Sequence, residues 1–259
     1  MSQPNVARRT VLSAMASLPL ATLLADPRLA RAQAEGLETI TINTREGREV
    51  TGSLARPASS DPAPAVLLIH EWWGLNDQIK TMAAALAEQG YMALAVDLYG
   101  GEIADTPENA RLLMQAVEPS AALDTLTSWV EWLRGQPDTT GKIATLGWCF
   151  GGGWSLETST ATPIDATVVY YGRVNKPAEK LVHLAGPVLG HFGTEDKFIN
   201  PEMVGGFEAA MNDAGKAYET HWYVANHAFA NPTGGRYDEE DAQLAWARTL
   251  TFLAQHLRG

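Results

Sequence analysis

The sequence predicts an α/β protein with a mostly parallel central sheet and helices on both faces. Short apolar runs typical of buried strands recur along the chain, and segments of helical periodicity separate them, which is the alternation that produces parallel sheets. The chain has 259 residues, of which 46% are hydrophobic, so it can bury one large core as a single domain. The buried strands are predicted at residues 65–69, 92–96, 143–146, 166–170 and 187–192.

A hairpin is predicted before these strands. Residues 37–43 and 48–55 have the alternating pattern of half-buried strands, and Arg45, Glu46 and Gly47 form the turn between them. In a parallel sheet, active sites lie at the carboxyl ends of the strands. We therefore expect the functional residues in the loops that follow the buried strands.

The helices are predicted from their apolar faces and their first residues. Pro107 follows Thr106, and Pro201 follows Asn200, which is the order expected for a capping residue and the first helical position. Apolar positions three or four residues apart define the buried faces of two helices. These positions are Ile79, Met82, Ala83 and Leu86 in one helix and Trp246, Leu250, Leu253 and Leu257 in the last.

The first 34 residues have the layout of an export signal. Arg8 and Arg9 precede a mildly apolar stretch at residues 11–24, and small-residue cleavage patterns follow at residues 30–32 and 32–34. The alternative is a first amphipathic helix of the fold. Because the charged, apolar and small-residue regions occur in the order of a signal peptide, and the apolar stretch is too short to span a bilayer, we expect a cleaved signal peptide of the twin-arginine type.

Removal of residues 1–34 would leave a single domain over residues 35–259, which we expect in the periplasm. The removed segment contains four arginines and one aspartate, so the formal net charge changes from −11 to −14. Such an acidic surface repels phosphate backbones and anionic lipids. We expect no nucleic-acid partner, no stable membrane association after cleavage, and a monomer or small homo-oligomer.

The only cysteine, Cys149, lies in the sequence Gly-Trp-Cys-Phe-Gly-Gly-Gly, between a predicted strand and a helix opening at Trp154. A nucleophile at such a sharp turn requires small residues two positions away on each side, which Gly147 and Gly151 provide. The helix amino terminus favours the thiolate over the thiol. The alternatives are an inert buried cysteine and a phosphate-binding loop, but the Walker lysine and Ser/Thr are missing.

Two further residues complete a candidate triad. Asp196 and His227 each follow a predicted strand, and the chain order Cys149, Asp196, His227 is nucleophile, acid, base. Each residue alone has a structural explanation, since an aspartate in a loop is commonly a cap and a single histidine commonly packs in the core. The three in this order indicate nucleophilic catalysis.

Several motifs together resemble the dienelactone hydrolase (carboxymethylenebutenolidase) family, and they extend over nearly all of the chain after the signal. In chain order they are Ile69 to Asn76, Asp97 to Tyr99, Gly147 to Gly153, Gly193 to Asp196, and His227 to Phe229. The resemblance implies an α/β-hydrolase fold without a large cap, no cofactor, and hydrolysis of an ester or lactone through a cysteinyl acyl-enzyme.

The resemblance also implies roles for residues near the thiol. Glu71 matches a family glutamate that contacts the cysteine in the resting enzyme and helps to form the thiolate when substrate arrives. The backbone N–H groups of Trp72 and Phe150 are expected to bind the oxyanion. His70 beside Glu71 raises the question of a metal, but no second histidine at ligand spacing supports one.

The substrate cleft is predicted from aromatic residues near the motifs. Trp73, Trp148 and Tyr99 are candidates to line it, although tryptophans more commonly pack in the core. Asn231 is a further candidate, because it occupies the position of a family arginine four residues after the histidine. A second family arginine, after Tyr99, is also absent, since residues 100–102 are Gly-Gly-Glu.

These absences led to a hypothesis about the substrate. Arginine is the usual partner of a substrate carboxylate, so we expect neutral, apolar esters or lactones unless Lys197 or Arg236 replaces the missing arginines from other loops. Two other functions stay open at this stage. The alternatives to a hydrolase are a thiol-based redox sensor, which needs no triad, and a catalytically inactive binding module on the same fold.

Overall fold

The computed structural model describes residues 20–259, which form one eight-stranded sheet with helices on both sides. In chain order the elements are α1 (Leu20–Ala25), α2 (Pro27–Ala34), β1 (Glu38–Asn43), β2 (Glu49–Ala55), β3 (Ala63–Ile69), α3 (Asp77–Glu88), β4 (Met92–Val96), α4 (Pro107–Ala116), α5 (Pro119–Arg134), β5 (Thr139–Trp148), α6 (Phe150–Ala161), β6 (Ala166–Tyr170), α7 (Ala178–Leu181), β7 (Val188–Gly193), α8 (Pro201–Asp213), β8 (Tyr218–Tyr223) and α9 (Glu239–Leu257).

The sheet order is β1-β2-β4-β3-β5-β6-β7-β8. The pairs β1–β2 and β2–β4 are antiparallel, and every other neighbouring pair is parallel. Ile69 on β3 pairs with Gly147 on β5, and Trp148 pairs with Tyr170 on β6, so three parallel strands end at the same edge. The predicted α/β class, the leading hairpin and the five buried strands are confirmed.

Each face of the sheet carries its own hydrophobic core. On one face, Leu86 of α3 and Leu253 of α9 pack over β3 and β6. On the other, Leu126 and Trp129 of α5 pack against β3 and β4. The residues of β3 are buried along its whole length because both faces are covered, which explains the unbroken apolar run in the sequence.

The helix starts agree with the capping pattern. The side chain of Thr106 accepts a hydrogen bond from Asn109 N, and that of Asn200 accepts one from Met203 N. In both helices the following proline is the first helical residue. In the hairpin turn, Gly47 has a φ of 82°, which a residue with a side chain adopts only with strain.

The predicted signal peptide lies partly outside the described residues, including Arg8 and Arg9. Within them, α2 packs against α3, Ala30 and Ala34 are buried, and Ala30 O accepts a hydrogen bond from the hydroxyl of Thr81. The positions of α1 and α2 do not show where the chain is cleaved, so export stays a prediction. Among residues 20–259, no helix is both long enough and apolar enough to cross a membrane.

Candidate active site

Cys149 occupies the single residue between the end of β5 and the start of α6. Its φ of 53° and ψ of −115° form the sharp strand-to-helix turn expected for a nucleophile. A Cβ on Gly147 would lie 2.0 Å from Gly151 O, and one on Gly151 would lie 2.1 Å from Ile69 O. Both glycines are therefore needed for backbone packing. The helix begins at Phe150 rather than at Trp154, because β5 continues to Trp148 and leaves no longer loop.

His227 connects the thiol to a carboxylate. Its Nε2 lies 3.1 Å from Cys149 Sγ, and its Nδ1 lies 2.6 Å from Asp196 Oδ2. The loop after β7 carries Asp196 and the loop after β8 carries His227, so parallel strands bring together residues that are far apart in the chain. Cys149, His227 and Asp196 thus form a continuous hydrogen-bonded row, as the sequence order predicts.

The carboxylate of Asp196 is fixed by three hydrogen bonds. One oxygen accepts hydrogen bonds from Phe198 N at 2.7 Å and Ile199 N at 3.0 Å, while the other faces His227. Burial acts to raise the pKa of Asp196, but the hydrogen bonds from His227 and the backbone outweigh it and lower the pKa. The residue is therefore ionised and held in one orientation, as a group that orients an imidazole must be.

The thiol of Cys149 is protonated in the resting site. Burial, followed by the negative charge of Glu71, raises its pKa to about 12, and the backbone N–H of Phe150 only partly offsets this. Desolvation and the neighbouring carboxylate therefore outweigh the effect of the helix amino terminus, which by itself favours the thiolate. The proton must leave the sulfur when the substrate is attacked.

Glu71 is buried beside the thiol but does not contact it by a hydrogen bond. Its Oε2 accepts a hydrogen bond from the amide of Asn231 at 2.5 Å, and its Oε1 has no partner among the described residues. Burial raises the pKa of Glu71, and the Asn231 contact acts in the opposite direction. Among residues 20–259, the side chain that hydrogen-bonds the sulfur is that of His227, so the direct contact with Glu71 that the family resemblance implies is not formed within this part of the chain.

Asn231, at the position of a family arginine, donates a hydrogen bond to Glu71. Its carbonyl oxygen accepts bonds from the backbone and hydroxyl of Thr233, at 2.9 Å and 2.7 Å. These contacts orient its amide nitrogen toward Glu71. Glu71 is therefore held by a neutral donor.

The two expected oxyanion donors lie on adjacent segments. Phe150 is the first residue of α6, so its N–H has no acceptor within the helix. Trp72 follows β3, and its N–H donates no hydrogen bond within residues 20–259. The close packing of Gly151 against the end of β3 brings both segments to Cys149. Two free amides beside a nucleophile are what an oxyanion requires.

A cleft of about 940 Å³ opens over the triad. Trp73 and Asn231 line it as predicted, together with Trp72 and Phe150. Further apolar lining comes from residues that sequence reasoning did not select, because their role depends on helix and loop placement. These residues are Met114, Pro119, Leu123, Trp154, Phe198 and Ile199.

Two of the predicted lining residues lie elsewhere. Trp148 shares its strand face with Ala144 and Leu146 and is buried in the core with them, since alternate residues of a strand point the same way. Tyr99 is also buried, and its hydroxyl donates to Trp72 O at 3.2 Å. Both were proposed from their sequence neighbours, which do not determine side-chain direction.

Charged groups also line the cleft. Arg173 and Arg236 are exposed there and form no ion pair within the described residues, whereas Lys176 pairs with Glu157. Arg236 is close enough to Glu71 and Cys149 for its positive charge to favour their ionised forms. Of the two residues named as replacements for the missing arginines, Arg236 lines the cleft and Lys197 does not.

Comparisons with known proteins identify the family of this chain. The sequence pattern of the dienelactone hydrolase family matches residues 50–257. A carboxymethylenebutenolidase from Pseudomonas putida is 30% identical over 228 residues, which cover 84% of this chain and 96% of that protein. A Saccharolobus solfataricus protein assigned to the same activity is 32% identical over 252 residues, with coverage of 80% and 95%.

Solved structures indicate the same family. A Klebsiella pneumoniae protein assigned as a dienelactone hydrolase superposes with a TM-score of 0.76 at 26% identity, covering 85% of this chain and 99% of that one. A dienelactone hydrolase-like phosphotriesterase from metagenomic libraries gives a TM-score of 0.77 at 22% identity, which supports the fold. The chain therefore belongs to the dienelactone hydrolase family of the α/β-hydrolase superfamily, and it is a hydrolase of esters or lactones.

Proposed function

We propose that Cys149 hydrolyses a carboxylic ester or lactone through a covalent acyl-enzyme. The observation that carries this proposal is the row of contacts from Cys149 Sγ to His227 Nε2 at 3.1 Å and from His227 Nδ1 to Asp196 Oδ2 at 2.6 Å. A nucleophile, a base and an orienting carboxylate in this geometry are the parts that acyl transfer needs.

Acylation begins when the sulfur attacks the substrate carbonyl and its proton passes to His227 Nε2. The carbonyl oxygen becomes an oxyanion, which accepts hydrogen bonds from the N–H groups of Trp72 and Phe150. As the tetrahedral intermediate collapses, the C–O bond breaks and His227 gives its proton to the leaving alkoxide. For a lactone, that alcohol stays attached to the acyl group.

Deacylation repeats these steps with water. His227 takes a proton from water, whose oxygen attacks the thioester carbonyl, and the C–S bond breaks to release the acid and restore the thiol. Asp196 stabilises the imidazolium in both halves of the cycle and keeps Nδ1–H directed away from the reacting atoms. No other reactant is needed.

The raised pKa of Cys149 favours this hydrolase over a redox sensor. A sensor cysteine is oxidised as the thiolate, so it needs a low pKa. In this site, burial and the charge of Glu71 keep the resting thiol protonated. The thiol becomes nucleophilic only when His227 accepts its proton during attack.

The cleft changes our hypothesis about the substrate. The expectation of a neutral substrate depended on missing arginines and on the acidic residues Glu71 and Glu102. Glu102 does not line the cleft, whereas Arg173 and Arg236 do, and neither is paired within the described residues. We therefore favour esters or lactones with an anionic group, because an exposed guanidinium can bind a carboxylate through two parallel hydrogen bonds.

The test of the nucleophile is hydrolysis of a chromogenic short-chain aryl ester. We expect activity from the wild-type protein, its loss after treatment with a thiol alkylator, and its loss in Cys149→Ala. Electrospray mass spectrometry of rapidly quenched samples should detect the acyl group on Cys149. Activity that survives both alkylation and Cys149→Ala would exclude the mechanism.

We also propose that the protein is exported to the periplasm by the twin-arginine route and that residues 1–34 are removed. The support is the order of Arg8-Arg9, the apolar stretch and the small-residue cleavage patterns. Mass spectrometry of the periplasmic protein should give an amino terminus near Gln33 or Glu35, and changing both arginines to lysine should block export. An intact Met1 in the cytoplasmic fraction would contradict this proposal.

A further inference from the structure

His70 is a wholly buried histidine between β3 and Glu71 that takes no part in the chemistry described above. Its Nδ1 lies 2.6 Å from Glu71 O, and its Nε2 lies 3.2 Å from Leu98 N. Because Glu71 O only accepts and Leu98 N–H only donates, Nδ1 must carry the proton and Nε2 must be bare. The ring is therefore a neutral imidazole with both nitrogens satisfied. Burial lowers the pKa of His70, in keeping with this state.

The carbonyl that His70 holds belongs to the same peptide group as the N–H of Trp72. No peptide bond in the described residues is cis, so the carbonyl of Glu71 and the N–H of Trp72 point in opposite directions. Fixing the carbonyl on the side of His70 directs the N–H to the other side. Gly74 N adds a longer bond to this carbonyl, at 3.3 Å.

Neighbouring groups hold the other parts of this unit. Tyr99 donates its hydroxyl proton to Trp72 O at 3.2 Å, which fixes the next peptide group. The rings of Tyr99 and Phe150 lie 4.6 Å and 6.0 Å from that of His70, measured between centroids. His70 thus contacts the segments that carry both oxyanion donors. A hydrogen bond to the carbonyl also polarises the peptide and strengthens its N–H as a donor.

We propose that His70 is a positioning residue that aligns the Trp72 N–H for the oxyanion by holding the Glu71 carbonyl. This proposal rests on the acyl-transfer function proposed above. Loss of one oxyanion donor costs about 100- to 1,000-fold in kcat, so loss of its alignment should cost roughly 10- to 100-fold. The loss should fall on kcat and leave KM nearly unchanged, because His70 does not line the cleft.

Two conservative variants separate the contacts of His70. The side-chain nitrogen of asparagine superposes on His Nδ1, so His70→Asn keeps the donor to Glu71 O and loses the partner of Leu98 N. His70→Gln places its polar group near Nε2, so it keeps the Leu98 contact and loses the Glu71 contact. We expect His70→Asn to retain most of kcat and His70→Gln to lose about 10- to 100-fold.

The rate at which iodoacetamide alkylates Cys149 is the second measurement. A general structural defect of the site would change both this rate and ester hydrolysis. In this reaction the C–S bond forms as the C–I bond breaks, iodide leaves, and no oxyanion develops. The alkylation rate of His70→Gln should therefore stay within about twofold of wild type while ester hydrolysis falls. His191→Asn is the control, since His191 is equally buried and bonds Tyr223 and Thr249 instead.

The outcomes are distinct. A selective loss of hydrolysis in His70→Gln, with His70→Asn and His191→Asn near wild type in kcat, supports the proposal. Equal kcat in His70→Asn and His70→Gln would overturn it, as would a parallel fall in hydrolysis and alkylation. If wild-type and Cys149→Ala proteins hydrolysed the ester equally, the acyl-enzyme itself would be refuted, and the positioning role with it.

Discussion

The end of the cleft that holds Cys149 differs from the end bounded by α4 and α5 in burial and in bonding. At the reactive end, Asp196 and His227 are buried and joined by a hydrogen bond of 2.6 Å. At the outer end, Ala110 is the only buried residue of α4, and Leu112 on the same helix is 60% exposed. Rearrangement is costly at the reactive end and cheap at the outer end, so changes at the two ends should affect different kinetic constants.

The largest expected effect is that of replacing the nucleophile. Cys149→Ala should abolish hydrolysis and leave the fold intact, because it removes the attacking atom and one small side chain. Cys149→Ser should retain little activity, because an alcohol needs stronger assistance from its base. Circular dichroism and thermal melts test folding beside the activity assay. Substantial turnover by a folded Cys149→Ala variant would contradict this prediction.

The next largest effect concerns the orientation of His227. Asp196→Asn should lower kcat by about 1,000- to 10,000-fold, since the amide can hold the imidazole in the wrong tautomer. KM should change little, because Asp196 does not line the cleft. Steady-state kinetics on the aryl ester measures both constants. A fall of less than tenfold in kcat would mean that His227 does not depend on this carboxylate.

A smaller effect is expected from Arg236, an exposed residue of the cleft whose charge selects the substrate. Arg236→Gln should raise KM for a carboxylate-bearing ester about fivefold to tenfold, or roughly 1 to 1.4 kcal/mol, and leave KM for a matched neutral ester unchanged. Lys197→Gln is the control, because Lys197 is exposed outside the cleft. Equal effects of Arg236→Gln on both esters would restore the hypothesis of a neutral substrate.

The smallest effect concerns stability and pH. Burial raises the pKa of Glu71 above 4.5, so the folded protein binds this proton more tightly than the unfolded chain does. The stabilising contribution of protonated Glu71 is therefore complete below pH 4.5 and is lost as pH rises through the folded-state pKa. Glu71→Gln stays neutral and avoids this loss.

Melting curves at several pH values measure the difference. The Tm of Glu71→Gln should approach that of wild type near pH 4 and exceed it at pH 8 by about 2–4 °C, as expected for roughly 1 kcal/mol in a chain of this size. Glu102→Gln, at an exposed position, should show no such divergence. A gap between Glu71→Gln and wild type that narrows toward pH 8 would have the wrong sign.

The contrast between the two ends also explains what the sequence could predict. Cys149 and Asp196 were found because each follows a buried strand, which the sequence shows as an unbroken apolar run. His227 follows the partly exposed strand β8, so it was found mainly from its place after them in the chain order nucleophile, acid, base. The placement of Arg173 and Arg236 in the cleft was beyond such reasoning, because it depends on how long side chains leave exposed loops. Trp148 was misplaced for a related reason, since its direction follows from strand register and not from its neighbour Cys149.

The resting state of the thiol was also beyond the sequence. A helix amino terminus can be predicted from Gly147 to Gly153, and it favours a thiolate. The opposing contributions are desolvation and the charge of Glu71, which lies 78 residues before Cys149 in the chain. Whether these contributions outweigh the effect of the helix amino terminus depends on three-dimensional packing.

The sparse packing of α4 has a consequence for how this enzyme can diversify. The segment begins after Gly100 and Gly101, whose φ values are 63° and 94°, and it contributes little to either core of the sheet. Insertions, deletions or exchanges between Asp105 and Glu118 should therefore be tolerated by the rest of the domain. Met114 and the adjoining residues of α5 face the substrate space, so each exchange would reshape the cleft. Natural variation and directed evolution can thus change the substrate preference through this segment with little effect on folding.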